Sequence, residues 1–420
     1  MSLLSNPIIK TLSDPYILSI IIFIIIVAVI VVRDRKKFER QAIILLRRTQ
    51  KGKNSITRLG RKFPRFWKGL GTLGAVLGFA GSIYIIIQFL EILVRNLFNI
   101  TQGKVAAQSL AFVLPTPTAT AISTTGLFLV PFWYWIIAIA LLVVVHEGMH
   151  GILSAAEKIK LKSLGWGLLL IIPLAFVEPD EKALQKRGFW TQARIFAGGS
   201  FANFILAGIA VLIMGFAFTG MYTNVGVIYQ GLTPEYPAAD ANMTGYITQI
   251  NGQDINSVED LSKVLDVVSP GDVVNIKTVN TTYRVLPLVV PAKSLIKPQV
   301  HIIPNQGEQL EYNLIAIGNP EDPGKGYIGV SKLADVEEYK PEFAAFGGGI
   351  EFIGGLLFFL FVINFGVGLA NLLPIKPLDG GRMWEVLFQK ISKKHSRRLT
   401  LGISYFTFLL LVVNFILPFA

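Results

Sequence analysis

The sequence predicts a polytopic α-helical membrane protein, with about six transmembrane helices and one small α/β insert placed outside the cytoplasm. Three observations predict it. The chain is 52% hydrophobic and only 16% charged over 420 residues, with a mean hydropathy of +0.55, outside the range of soluble enzymes. Six apolar stretches, approximately 15–32, 70–98, 127–152, 195–219, 346–371 and 399–418, are long enough to cross a bilayer or nearly so. Charge is also distributed unevenly between the segments that join them. The resulting organisation is two N-terminal transmembrane helices with a basic cytoplasmic loop (1–124), a first core half (125–221), the insert (222–342), a second core half (343–398) and a C-terminal transmembrane helix (399–420).

The first stretch lacks a basic leader, has a long apolar core and is followed by basic residues, so it is expected to stay in the membrane as a span. Residues 33–68 hold fourteen Lys/Arg and two acids, which equals the whole net charge of +12. Between two apolar spans, that block fits a cytoplasmic loop facing the lipid bilayer under the positive-inside rule. Nothing beyond charge supports a nucleic-acid groove, and no nucleic-acid partner is expected. Alternating the topology puts 99–126 outside, 153–194 inside, 220–345 outside and 372–398 inside. The charges agree: 372–398 carries Lys376, Arg382, Lys390, Lys393, Lys394, Arg397 and Arg398, whereas 220–342 has fifteen acids against eight bases. Glycosylation sequons at Asn99, Asn242 and Asn280 fall on the same outer side.

The third stretch carries the chemistry. Residues 146–150 read His-Glu-Gly-Met-His. On a helix the two imidazoles, four positions apart, share one face and can grip a single zinc ion, with Glu147 as general base toward a water activated by the metal. Ionisable groups are costly in lipid, so their presence there points to function. Two interfacial histidines snorkelling beside a glutamate are the bland alternative. Phe132, Trp133, Tyr134 and Trp135 mark the outer end of this span. His146 lies eleven residues further on, about 16 Å of helix, at or past mid-bilayer toward the cytoplasm. The chain has no cysteine, so zinc must be held by histidine and carboxylate. His301 and His395 lie in polar segments without partner spacing and are expected to be solvated.

Residues 161–177 are apolar but short and broken by Pro173, which suggests a re-entrant or hairpin element shielded by protein. An extended strand there can take a substrate backbone by strand addition; an interfacial packing loop is the alternative. The insert shows short alternating strands and turn signals at Asn251-Gly252, Pro270-Gly271 and Pro323-Gly324. A zinc site needs a third protein ligand. The candidate is Asp379, in Asn371-Leu-Leu-Pro-Ile-Lys-Pro-Leu-Asp379-Gly-Gly-Arg382. Two prolines break the helix and two glycines allow an acute turn that aims the carboxylate inward; a simple helix cap is the alternative.

An HExxH inside a span, together with Asn-Leu-Leu-Pro and Leu-Asp-Gly-Gly, resembles the site-2 protease family of intramembrane zinc metalloproteases. Phe176-Val-Glu-Pro-Asp-Glu181 and Arg194-Ile-Phe-Ala-Gly-Gly-Ser-Phe-Ala-Asn203-Phe204 are similar to the stretch entering that family's second core helix. The family pattern usually has Gly-Pro where this chain has Gly199-Ser200. The resemblance, over roughly 125–390, implies one Zn2+ per chain on His146, His150 and Asp379, Glu147 as catalytic base and Asn371 as an oxyanion donor. It implies hydrolysis of peptide bonds within or near transmembrane segments of membrane-spanning protein substrates. Asn203, beside Gly198, Gly199 and Ser200, is read as a cross-helix contact, and the glycines at 347–349, 354 and 355 as close-packing residues.

Gly231 to Ala241, Ile247 to Ile255 and Val258 to Leu261 resemble a PDZ domain of the protease-associated kind, closed by Lys325-Gly-Tyr-Ile-Gly-Val330. That implies peptide termini as ligands of the PDZ-like insert. Residues 293–322 match nothing comparable. Two other classes compete: an inert membrane scaffold binding peptides through the insert, and a metal transporter. The intact Glu147 argues against the first, and the scarcity of further polar ligands in the spans against the second.

Overall fold

In a computed structural model, residues 14–41, 43–170, 172–218, 220–280, 283–286, 299–302, 307–320 and 322–419 are described. Along the chain, helix α1 (Pro15–Arg33) is followed by strands β1 (Glu39–Gln41) and β2 (Ile44–Thr49), then helices α2 (Lys53–Lys62) and α3 (Pro64–Thr101). Strands β3 (Phe112–Thr116), β4 (Ile122–Thr124) and β5 (Leu127–Pro131) lead into α4 (Phe132–Ala156), a hairpin of β6 (Leu161–Leu169) and β7 (Ile172–Pro179), and α5 (Phe189–Phe218). Next come β8 (Tyr222–Leu232), β9 (Tyr246–Ile250), β10 (Gln253–Asp254), α6 (Val258–Leu265), β11 (Val273–Asn280), β12 (Tyr283–Leu286) and β13 (Gln299–Ile302). They are followed by β14 (Glu308–Ile315), β15 (Ile317–Gly318), β16 (Gly326–Tyr327) and β17 (Val330–Tyr339). The chain closes with α7 (Gly347–Asn371), α8 (Asp379–Ile391) and α9 (Ser396–Ile416).

Six helices among the described residues, α1, α3, α4, α5, α7 and α9, are long and apolar enough to cross a membrane. Two expected boundaries move. Residues 127–131 pair with β3 and β4 as strand β5, so the third span begins only at Phe132. The fourth begins at Phe189, several residues before the expected start. Its charged Arg194 does not end the helix, because Glu157 accepts from the guanidinium at 2.7 Å.

The chain divides into two compact units, one running through Ile209 and resuming at Phe359, the other Ala210–Phe358. In the first, α3 presents a stripe of small residues. A Cβ on Gly74 would stand 2.9 Å from Phe201, and one on Gly78 would stand 3.0 Å from Met383, so α5 and α8 approach the α3 backbone closely. Buried amides and hydroxyls tie the bundle together: Asn414 of α9 donates to the Phe89 carbonyl at 3.1 Å, and Trp384 of α8 to Ser82 at 2.8 Å. The apolar element at 161–177 is a β-hairpin in which Pro173 pairs with Leu168. It joins a four-stranded sheet in the order β1-β2-β6-β7, built partly from the basic segment that the sequence suggested was a loop. Strand β7 is one edge of this sheet.

The second unit is a twisted sheet in the order β12-β13-β17-β8-β9-β11-β14. Val227, Ile247, Ile250, Leu261, Ile276 and Ile328 form its core, with α6 supplying Leu261. The turn signals fall in turns: Asn251 and Gly252, both at positive φ, join β9 to β10, and Gly271 at φ +96 precedes β11. Among the described residues nothing lies within 4 Å of where a Cβ on Gly348 or Gly349 would stand, so they do not show the close packing expected of them.

Candidate metal centre

His146 and His150 lie one turn apart on α4, and both turn Nε2 toward one oxygen. Asp379 Oδ2 is 3.1 Å from His146 Nε2 and 3.3 Å from His150 Nε2. The three ligand atoms lie within 4.8 Å of one another. Asp379 comes from the other end of the chain. It is the first residue of α8, and Leu378, not Asp379, occupies the cap position, so the carboxylate does no capping. The paired glycines set this approach. A Cβ on Gly380 would stand 2.2 Å from the Leu372 carbonyl oxygen and one on Gly381 2.6 Å from that of Ile375, so only glycine lets the first turn of α8 fold onto this backbone.

The outer nitrogens of both imidazoles are also engaged. His150 Nδ1 is 2.6 Å from the Ile195 carbonyl, which can only accept, so Nδ1 carries the proton and Nε2 keeps a lone pair. His146 Nδ1 meets the Asn203 carboxamide at 3.1 Å. With the amide nitrogen facing the ring, Asn203 Oδ1 is buried without a partner. Turning the carboxamide over lets Oδ1 accept Nδ1–H and gives His146 the same tautomer as His150.

A metal ion fits this arrangement on three counts. Two neutral imidazole nitrogens and one carboxylate oxygen form a donor set suited to zinc. Asp379 Oδ2 is buried and no hydrogen bond satisfies it among the described residues. Gly199 of α5 leaves the necessary space: a Cβ there would stand 2.5 Å from Nε2 of each histidine. Gly199→Ala should therefore weaken metal binding at least tenfold, with helix content unchanged, by circular dichroism and by metal analysis after dialysis. Metal retained at the wild-type level would show that the imidazoles can move aside.

Glu147, on the same helix, points toward β7. Its Oε2 accepts from the Val177 backbone N–H at 3.0 Å, and no cation pairs with it among the described residues. Beside it, Gly148 has open space within 4 Å. Asn371 ends α7, half-buried, and its amide makes no hydrogen bond among the described residues. His395 is exposed, whereas the His301 side chain lies outside the described residues.

The end of α4 is pinned by charge. Glu157 accepts from Arg194 at 2.7 Å and Thr191 at 3.3 Å, and Lys68 stands 3.2 Å away. Burial pushes the Glu157 carboxyl up, but the hydrogen bonds from Arg194 and Lys68 outweigh it and hold the group below its usual range. Arg194 adjoins Ile195, whose carbonyl orients His150, so the ion cluster sits one residue from the metal centre.

Two residues singled out for helix packing also support the metal centre, a role not read from the sequence. Asn203 makes the expected cross-helix contact and Gly199 permits the expected close approach, but that their partners are the two imidazoles was not foreseen. Their four-residue spacing, equal to that of the two histidines, was the available signal.

The sequence profile of peptidase family M50 matches residues 134–414. An uncharacterized protein of Methanocaldococcus jannaschii is 25% identical over 354 residues, covering 83% of this chain and 79% of that protein.

Proposed function

Because the chain belongs to peptidase family M50, the site-2 protease family, we propose that it is an intramembrane zinc metalloendopeptidase acting on membrane-spanning protein substrates. The observation that carries this reading is the meeting of Asp379 with His146 and His150, which lie on a span-length helix that also bears Glu147. One zinc ion per chain is expected, held by those three residues, in keeping with a zinc-dependent family. Zinc, when bound, supplies a Lewis acid that acidifies water and polarises the scissile carbonyl.

The chain's own groups do the rest. Glu147 takes a proton from the attacking water and returns it to the leaving amine. Asn371, with its amide free, donates to the oxygen that becomes negative as the carbonyl is attacked. A substrate helix has its carbonyls hydrogen-bonded internally, so the segment to be cut must first be unwound. Strand β7 suits that step: among the described residues it has a neighbour on one side only, and its Val177 N–H faces Glu147. On the charge asymmetry, the site lies in the cytoplasmic half of the bilayer and the PDZ-like insert outside, where peptide termini are its proposed ligands.

The test is reconstitution of the full chain in vesicles with a single-span substrate, followed by mass spectrometry of the fragments. Cleavage inside or beside the span is expected, abolished by a zinc chelator and restored by stoichiometric zinc. Cleavage indifferent to chelation would overturn the metal reading. Zinc crossing the vesicle wall without cleavage would favour a transporter.

A further inference from the structure

Residues 51–68 contain seven Lys or Arg and no acid. The structure divides them sharply. Lys68 is spent on Glu157, and Lys53 turns its ammonium to Gln50 and the Lys162 carbonyl. Lys51, Arg58, Arg61, Lys62 and Arg65 are exposed, and none has a carboxylate within ion-pair range among the described residues. Some exposed cations of the same unit are paired, Lys37 with Asp34, Arg48 with Glu39 and Lys376 with Glu385, whereas Arg35, Lys36, Lys393, Lys394, Arg397 and Arg398 are exposed with no carboxylate in ion-pair range among the described residues. α2 and the first turn of α3 thus carry four unpaired cations, Arg58, Arg61, Lys62 and Arg65, with no acid among them.

Large apolar side chains stand exposed among these cations. Leu59, Phe63 and Phe66 are 42%, 51% and 60% exposed, and the Lys62 ammonium sits 5.2 Å from the centre of the Phe63 ring. The opposite face of α2 is seated on α4. A Cβ on Gly60 would stand 2.4 Å from the Ile152 carbonyl oxygen, and Ile56 packs where Gly151 lacks a side chain. Trp67 donates to the Leu59 carbonyl at 3.0 Å, tying the start of α3 to α2. Basic heads interleaved with apolar anchors, at the point where a span-length helix begins, describe a helix lying in a headgroup layer.

We infer that α2 and the start of α3 form a docking surface for the phosphate headgroups of anionic phospholipids, with Arg58, Arg61, Lys62 and Arg65 taking the phosphates and Leu59, Phe63 and Phe66 entering the acyl boundary. A solvated nucleic-acid surface shares the phosphate chemistry, but it gives no reason to expose two phenylalanines and a leucine beside a span. The surface is seated directly on the residues that follow His150, so headgroups that hold α2 also brace the end of α4.

The experiment titrates the detergent-solubilised full chain with phosphatidylglycerol or phosphatidylcholine and reads binding by native mass spectrometry. Each basic residue near an anionic surface is worth about fivefold, so the wild type should prefer phosphatidylglycerol by roughly tenfold or more. The quadruple variant Arg58→Gln, Arg61→Gln, Lys62→Gln, Arg65→Gln should lose the preference while retaining its metal. The triple variant Arg58→Lys, Arg61→Lys, Arg65→Lys should keep it. Equal affinity of the wild type for both lipids, or an unchanged preference in the quadruple variant, would overturn the assignment. So would affinity for a duplex oligonucleotide that disappears in the quadruple variant while the lipid preference survives. No readout here needs hydrolysis, so failure of this surface and failure of the protease reading remain distinguishable.

Discussion

Glu147→Gln should leave one zinc ion per chain bound and lower the cleavage of a single-span substrate by roughly 100-fold to 10,000-fold, the usual range for losing a general acid-base. Glutamine matches glutamate in length, and its carbonyl oxygen can still accept from Val177 N–H, the hydrogen bond the carboxylate makes at 3.0 Å. The strand therefore keeps its place against α4. His146, His150 and Asp379 are untouched, so metal content should not change. What is lost is the basicity proposed to take the proton. The measurement pairs a rate in reconstituted vesicles with zinc analysis of the same sample. A variant that cleaves at the wild-type rate with zinc bound would remove Glu147 from the chemistry.

Asp379→Asn should weaken zinc binding by more than about 100-fold, a larger loss than substitutions around a metal usually cause. The change preserves shape while removing the negative charge that two imidazole Nε2 atoms face at 3.1 and 3.3 Å. Leu378 is the cap of α8, so the helix start does not depend on the carboxylate. Folding should survive, and loss of metal can then be separated from loss of structure. Competition against a chelator of known affinity gives the number, and circular dichroism checks the fold. Unchanged affinity would place Asp379 outside the coordination shell.

Much of the membrane part was legible in sequence because lipid imposes a one-dimensional rule: a span needs a run of apolar residues of sufficient length. The six stretches correspond to six span-length helices. The errors fall where a tertiary partner changes the local rule. Arg194 looked like a boundary until Glu157 and Thr72 satisfied it inside the helix. Residues 127–131 looked helical until β3 and β4 paired with them. The basic block looked like a loop because the β1-β2 pair joins a sheet through β6, well over a hundred residues away, and no local pattern announces so distant a pairing.

For the candidate site, the sequence by itself determined the donor types and the spacing of two of them. An i, i+4 histidine pair must share a helix face, and a chain without cysteine must complete a zinc site with nitrogen or oxygen. Motif resemblance also pointed to Asp379, but spacing could not say which way its carboxylate turned. Only the tertiary structure decided that, through Gly380 and Gly381 lying against the 372–376 backbone. It also decided the parts that have no motif of their own. The Ile195 carbonyl fixes the His150 tautomer, Asn203 meets His146, and the missing side chain of Gly199 leaves room between the rings. Covalent pattern reaches only as far as one helix turn repeats. A tautomer and a clearance are set across helices, by groups that approach only once the chain has packed.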